Sequence, residues 1–377
     1  MRKRIGVFAA VLAVAASLSV AAAASAHHVL VGIQDDAQTV YGDPVTTFST
    51  LSKLHVQVVR INLQWGGKFG IANDKRPAHP QDPSDPAYDW TLYDRADRYA
   101  AQYHIKVLFT ILFTPKWAGA GSLSDPPRNM NDLRNFAYAA AERYSGHYIP
   151  TNENDEEPLP PVRLWLAWNE PNNPVWLKQT SGGRFVSPRE YAGICNAVYT
   201  GVHDTNFSGE QVACGATGPR GNNQPRSSRP SISPLRFMVA ARKAGMRKMD
   251  AYAHHPYYSN PSQTPASKPG DRSTVQLGNL RTLIALSNRL FGKKPIWITE
   301  YGYQTLPQDR QFGVSYAKQA RYLAQADAIM RSTPQVAMMI WFMLKDDTNI
   351  SQGWQSGLLT AAGKKKPAYN VFARLPH

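Results

Sequence analysis

Short apolar, β-branched runs recur along the chain, separated by longer stretches in which apolar residues follow helical spacing. The runs are Val29–Ile33, Val56–Leu63, Ile105–Leu112, Val162–Trp168, Gln211–Ala216, Met249–Ala253, Pro295–Thr299 and Val336–Phe342. Most are apolar on both faces, as strands of a covered parallel sheet are. Between them, Leu92–Tyr103 carries apolar residues at Leu92, Ala96, Tyr99, Ala100 and Tyr103, and Asp132–Tyr144 behaves alike. Ser187-Pro188-Arg189-Glu190 predicts a helix start, with Ser187 as N-cap and Glu190 completing a capping box. Ser233-Pro234 opens the next helix, and Gln311–Met330 predicts the longest. Eight strand–helix alternations predict a single-domain α/β fold, the (β/α)8 TIM barrel. A doubly wound open sheet would want a glycine-rich turn after the first strand, where Val29–Asp36 offers only Gly32.

The N-terminus follows a different pattern. Arg2, Lys3 and Arg4 precede an apolar stretch from Ile5 to Val20, and small residues end it at Ala24-Ser25-Ala26. This predicts a signal peptide over residues 1–26, a barrel domain over 27–377, and a secreted, extracytoplasmic protein without stable membrane insertion. Export makes a disulfide between Cys195 and Cys214 the expectation, since a helix and the strand after it would carry them. These two cysteines are too few for a disulfide scaffold or a four-cysteine zinc module.

Composition adds a large core, with 43% hydrophobic and 18% charged residues. Lys and Arg number 42 against 27 Asp and Glu; without Arg2, Lys3 and Arg4 the balance is 39 to 27, a net +12. That charge suits an anionic partner such as an acidic glycan. Nucleic acid is not expected, because the basic residues are scattered and the chain is exported. The run Lys364-Lys365-Lys366 reads as a solvated tail segment, and the acidic stretch Thr151–Pro161 as a loop on the face opposite the barrel mouth.

Barrel enzymes hold their reactive groups just past the C-terminal strand ends. Two predicted strands end in carboxylates. Leu164–Trp168 runs into Asn169-Glu170-Pro171, and Ile296–Thr299 runs into Glu300-Tyr301-Gly302. A charge ending an apolar run is costly to bury without a partner or a purpose. The two glutamates are 130 residues apart, three units at about 44 residues each, which places them on strands four and seven, across the mouth from one another. Paired carboxylates facing across a cleft, with aromatics beside them, are the equipment of glycoside hydrolysis.

Trp168-Asn169-Glu170-Pro171 resembles the strand-four motif of glycoside hydrolase clan A, retaining glycosidases on a (β/α)8 barrel. The resemblance implies Glu170 as acid/base, Glu300 as nucleophile, and Asn169 as a partner of the sugar 2-hydroxyl. Val58-Val59-Arg60-Ile61-Asn62 resembles strand two of the clan, whose Arg supports the nucleophile. His255-Pro256-Tyr257 resembles its strand-six His-x-Tyr, with Tyr257 donating to Glu300. Trp341 resembles the aromatic platform under the bound sugar, and the layout is nearest to families 39 and 5. The implied carboxyl separation is about 5–5.5 Å, with the pKa of Glu170 raised beside a negative Glu300. The implied substrate is a β-linked poly- or oligosaccharide cleaved by a monomeric enzyme with no cofactor and no metal.

Several readings stay open in the sequence. Trp65, Trp117 and Tyr303 follow strand ends and suit either sugar contact or core packing; Trp176 suits the cleft, and Trp90 and Trp297 the core. His254 and His255 point to opposite faces of one strand, so they are a poor metal pair, and His255 is assigned to the cleft. Arg220, Arg226 and Arg229 in the Gly218–Ser233 loop suit either an acidic sugar or a solvated basic loop. A non-catalytic glycan-binding barrel and a transglycosidase are the alternative functions.

Overall fold

The computed structural model describes residues 28–72, 75–150, 157–350 and 353–376. The expected signal segment and residues 151–156 of the acidic stretch lie outside that set. All eight predicted runs form strands: β1 (Leu30–Gln34), β2 (Val58–Gln64), β3 (Lys106–Leu112), β4 (Leu164–Ala167), β5 (Gln211–Thr217), β6 (Ala251–His254), β7 (Ile296–Tyr301) and β8 (Val336–Phe342). Each pairs in parallel with its sequence neighbours, and β8 returns to β1, closing the barrel. Helices follow the strands, so the chain is a (β/α)8 TIM barrel.

The interior is filled by alternate residues of the strands, among them Val58, Leu108, Leu166, Trp297, Met338 and Ile340. Small Ala213, Ala251 and Ala253 on β5 and β6 leave room for the indole of Trp297. The outward residues pack beneath the helices in a second, larger cluster. At Gly32 a Cβ would stand 2.2 Å from the Val58 carbonyl, so β1 can lie this close to β2 only with glycine there.

Two helix starts depart from expectation. The helix Ser187–His203 has Val186 as N-cap and no side-chain cap. The Ser187 hydroxyl instead donates to Gln179 Oε1 (2.9 Å), and Gln179 donates to the carbonyls of Pro171 and Leu177 (2.9 and 2.6 Å). The serine braces the loop after β4 rather than the helix end. The helix expected from Gln311 begins at Tyr316, after Ser315 caps it by accepting from Lys318 N (3.3 Å). Among the described residues the longest helix is therefore Ser187–His203, at 17 residues. Cys195 on that helix and Cys214 on β5 are bonded, with Cα atoms 5.8 Å apart.

Lys366 is not solvated as expected. It is 1% exposed, and its Nζ donates to Asp346 Oδ1 (2.7 Å), Thr305 Oγ1 (2.9 Å) and the Gln355 carbonyl (3.2 Å). Asp346 Oδ1 also accepts from Gly357 N (2.8 Å), so this pair ties the segments after β7 and β8 to the C-terminal helix Pro367–Phe372. Replacing one partner of a buried ion pair leaves the other charge unsatisfied, at a cost of about 3–5 kcal/mol. Lys366→Met should lower the urea midpoint by that amount of stability, whereas Lys364→Met, at an exposed position, should leave it within about 0.5 kcal/mol.

Candidate active site

The alternation that fills the barrel also sets which groups reach its mouth. On β2, Val58 faces inward, so Arg60 and Asn62 follow on the same face, and Val59, Ile61, Leu63 and Trp65 face the helices. On β6, Ala251 and Ala253 face inward, and the next residue in step is His255. β7 breaks its own alternation. Between the pairs Ile298↔Met339 and Tyr301↔Trp341 it carries one residue more than β8. The bulge sends Tyr301 outward against Trp341 and leaves Thr299 and Glu300 on the mouth side.

Glu170 is aimed by a turn rather than a strand. Trp168 and Glu170 both take positive φ, +68° and +34°, which is uncommon for side-chain-bearing residues. The first turns the Trp168 indole outward, where it donates to the Trp176 carbonyl (2.8 Å). The Glu170 amide is held by the carbonyl of Ala216 (2.9 Å), at a matching irregularity of β5.

Arg60 lies beneath both carboxylates and is fully buried. Nη1 donates to Glu300 Oε1 (2.7 Å), Gln34 Oε1 (2.9 Å) and the Thr299 carbonyl (3.0 Å). Nη2 donates to Asn169 Oδ1 (2.7 Å), and Nε to Thr110 Oγ1 (2.8 Å). Since Arg only donates, the oxygen of Asn169 is fixed toward it and the amide nitrogen is left for the cleft. The second oxygen of Glu300 accepts from the Tyr257 hydroxyl at 3.3 Å. Burial and the two carboxylates push the Tyr257 pKa well up, so it stays a donor.

Glu170 has different partners. Its Oε1 lies 3.1 Å from His255 Nδ1, and its Oε2 accepts from Asn173 Nδ2 (2.9 Å). The other ring nitrogen of His255 lies 2.9 Å from Thr299 Oγ1. Burial pushes the Glu170 pKa up, but the bonds from His255 and Asn173 and the Arg60 charge outweigh it and hold it below the usual range. This is opposite to the sequence expectation, which knew the burial and the like charge but not the donors. Oxygens of Glu170 and Glu300 and a nitrogen of His255 all lie within 4.8 Å of one another. Three such atoms can hold a metal in principle. Here a permanent guanidinium already occupies Glu300, and a cation beside it would be repelled.

Above this floor opens a cleft of about 820 Å³. Of the expected site residues, Asn169, Glu170, Tyr257 and Glu300 line it, as does Trp176. Arg60 and His255 touch the carboxylates from below. Trp65, Trp117, Tyr303 and Trp341 do not line it. Trp65 packs on Phe136 and Trp117 in the outer layer. The Trp117 ring is covered by the Arg76 guanidinium (4.9 Å). Tyr303 stacks on Tyr258 (4.1 Å), and Trp341 donates to the Ser356 carbonyl (3.0 Å). The aromatic wall expected of Trp341 is made instead by Phe342, which is in step with inward Met338 and Ile340, together with Trp354 edge-on to it (5.5 Å). His254 faces outward to Thr217 Oγ1 (2.9 Å) and the Val275 carbonyl (3.1 Å); burial lowers its pKa to about 3, so it is neutral.

The sequence reading missed Asp35 and Asp36, which line the cleft just past β1. Asp35 accepts from Lys345 N (3.0 Å) and Gln38 N (3.3 Å), and Asp36 from Asn62 N (3.2 Å). Burial outweighs these bonds and raises Asp35 to about 7 and Asp36 to about 6. The folded state therefore keeps protons that unfolded carboxyls, near pKa 4, have released, and stability falls as pH rises through 7. The urea midpoint should drop between pH 5 and pH 8, and Asp35→Asn should shrink that drop; an unchanged drop would refute the assignment.

Residues 236–372, which include His255, Tyr257 and Glu300, match the family model of the glycosyl hydrolase catalytic core. No curated protein matches the sequence. The structure is similar to that of a family 39 glycoside hydrolase from the gut symbiont Bacteroides cellulosilyticus WH2, with 19% identity and a TM-score of 0.63, over 93% of this chain and 63% of that one. A monomeric beta-xylosidase from Caulobacter crescentus CB15 shows 16% identity and a TM-score of 0.62, over 92% of this chain and 67% of that one. The chain thus spans about two thirds of the length of both. Fungal β-1,4-galactanases show 14% identity and a TM-score of 0.58, over 91% of this chain and 98% of theirs. Identities this low speak to the fold; the likeness to a glycosyl hydrolase catalytic core lies in residues 236–372. The chain thus has the (β/α)8 barrel fold of the glycosidases it resembles, and its C-terminal part matches a glycosyl hydrolase catalytic core.

Proposed function

We propose that the protein is a secreted retaining glycosidase for β-linked poly- or oligosaccharides, with Glu300 as nucleophile and Glu170 as acid/base. One observation carries this reading: an oxygen of one carboxylate lies within 4.8 Å of an oxygen of the other. An inverting pair needs room for a water between carboxyl groups about 6.5–9.5 Å apart, whereas a retaining pair stands about 5–5.5 Å apart.

Their partners support this division of roles. Glu300 is bonded to a permanent cation and a phenol, which aim it. Glu170 is bonded to an imidazole and an amide, neither of which fixes its charge. In the free site those donors hold Glu170 ionised. A sugar seated over the pair excludes water, strengthens the repulsion from Glu300 and raises the Glu170 pKa toward that of an acid. Glu300 then attacks the anomeric carbon while Glu170 gives its proton to the departing oxygen. Water, deprotonated by Glu170, releases the glycosyl group from Glu300 with configuration retained. The free amide nitrogen of Asn169 is placed to donate to a sugar hydroxyl.

Secretion rests on residues 1–26; among the described residues no helix is long and apolar enough to cross a membrane. The exported chain should begin at His27 on N-terminal sequencing.

The chemistry is tested on aryl β-glycosides. Glu300→Gln should lower kcat by at least about 10³-fold. Glu170→Ala should lose roughly 10²–10⁴-fold on poor leaving groups. On 2,4-dinitrophenyl glycosides, added azide should restore Glu170→Ala turnover and yield the β-glycosyl azide. Proton NMR of the first-formed sugar should show the β-anomer; initial release of the α-anomer would overturn the reading.

A further inference from the structure

The cleft is electrically lopsided. Asp35, Asp36 and Asp347 line it on the side of β1 and β8, and Arg220 and Arg229 line it on the side of β5. Each arginine is exposed, and among the described residues neither side chain forms an ion pair or hydrogen bond. Arg226, the third arginine of the same loop, lies against Gly183 of the small ribbon Thr180–Phe185 and does not line the cleft.

The loop that carries them is not loose. Both of its ends are tied to Asn172, two residues after Glu170. Asn172 Nδ2 donates to the carbonyls of Gly218 (3.2 Å), Arg220 (3.4 Å) and Ile232 (2.9 Å), and its Oδ1 accepts from Gly218 N (2.8 Å). Inside the loop, Asn222 Nδ2 donates to the Arg229 carbonyl (2.9 Å), and its Oδ1 accepts from Ser231 N (3.2 Å). Asn223 accepts from both the amide and the hydroxyl of Ser233 (2.9 and 3.1 Å). Three asparagine side chains thus fix the backbone from which the two guanidinium groups project. At Gly218 a Cβ would meet the Glu170 carboxyl at 3.1 Å, so the loop starts in contact with that carboxylate.

Direction follows from the reaction. The acid must touch the oxygen of the bond that breaks, so what lies beyond Glu170, toward the β5 loop, is the leaving group. The side of Glu300, Asp36 and Asn62 faces the sugar that becomes bonded to the enzyme. There the buried Asn62 Oδ1 and Ser356 Oγ have no partner, which suits hydroxyl donors. An anion on that side would meet Asp347 and would oppose the ionisation of Asp35 and Asp36, which burial already disfavours.

We propose that Arg220 and Arg229 bind a carboxylate or sulfate ester on the leaving-group residue, so that the enzyme cuts between a neutral sugar and an anionic one. The inference rests on the glycosidase reading of the same cleft. A guanidinium pair matches the planar oxygens of such groups by charge-assisted hydrogen bonds, and exclusion of water by bound sugar strengthens them.

The test uses three aryl β-glycosides with one glycone and a 4-carbamoyl, 4-carboxylate or 4-sulfonate group on the leaving phenol. At low salt the wild type should favour a charged compound over the carbamoyl one by about tenfold or more in kcat/KM, or about 1.4 kcal/mol. In Arg220→Gln/Arg229→Gln the ratio should fall to near one, in the double Lys variant it should largely persist, and 0.5 M salt should reduce it. The better of the two anions identifies carboxylate or sulfate ester. A wild-type ratio near one, or a ratio that survives the Gln substitutions, would mean a solvated basic loop and would overturn the proposal. Hydrolysis of the carbamoyl compound tests the glycosidase reading separately. If none of the three is cut, that reading fails, and the same ratio is read from dissociation constants by quenching of tryptophan fluorescence.

Discussion

The fixed point of this molecule is the Arg60 guanidinium, a cation held with no solvent exposure at the top of a closed sheet. A buried charge is tolerated only when it is paired and its hydrogen-bonding groups are filled. Its five partners come from four places around the barrel: Gln34 of β1, Thr110 of β3, Asn169 after β4, and Thr299 and Glu300 of β7, with Arg60 itself on β2. No open sheet could bring these together. The closed barrel supplies the groups that neutralise and saturate Arg60, and the Glu300 carboxylate is one of them.

The carboxylates are then aimed by departures from regular structure. β7 gains one residue against β8 at Glu300, β5 gains one against β6 around Ala216, and Glu170 itself sits at positive φ. Backbone held in sparsely populated regions costs of order 1–3 kcal/mol per residue and persists only where surrounding structure over-determines it. Here the surroundings are visible: Ala216 holds the Glu170 amide, Thr217 the His255 amide, and Tyr191, donating to the Ala167 carbonyl (3.0 Å), accepts from the Gly215 amide (2.6 Å). A regular strand would have sent Glu300 into the helix layer.

This explains what the sequence made legible. The eight strands were readable because burial on both faces leaves runs of apolar residues, and the two glutamates because each interrupts such a run at its end. Counting units placed them on strands four and seven without any knowledge of contacts. The aromatic lining was not readable by proximity to a strand end. Trp65 and Trp341 are out of step with inward Val58 and with inward Met338 and Ile340, and strict alternation alone would have rejected them and chosen Phe342. Ser187, Lys366 and the lowered Glu170 pKa were beyond reach for a different reason. Each depends on a partner that helical or strand spacing does not point to: Gln179, eight residues back through a loop, Asp346, twenty residues back in a buried pair, and His255, 85 residues away across the mouth. Local pattern fixes direction; it does not supply distant partners.

The remaining asymmetry is between the two carboxylates. Both lie on one cleft floor and both touch His255, Glu170 at 3.1 Å and Glu300 at 3.6 Å. They differ in what else they touch. A guanidinium cannot give up its proton, so Glu300 faces a fixed charge in every state of the site. Glu170 makes no hydrogen bond to the guanidinium; its donors are the imidazole of His255 and the amide of Asn173. Two carboxylates of one type thereby stand in different environments, as the proposed division of roles requires, and the same asymmetry extends outward: acceptors and aspartates gather on the side of Glu300, free cations on the side of Glu170.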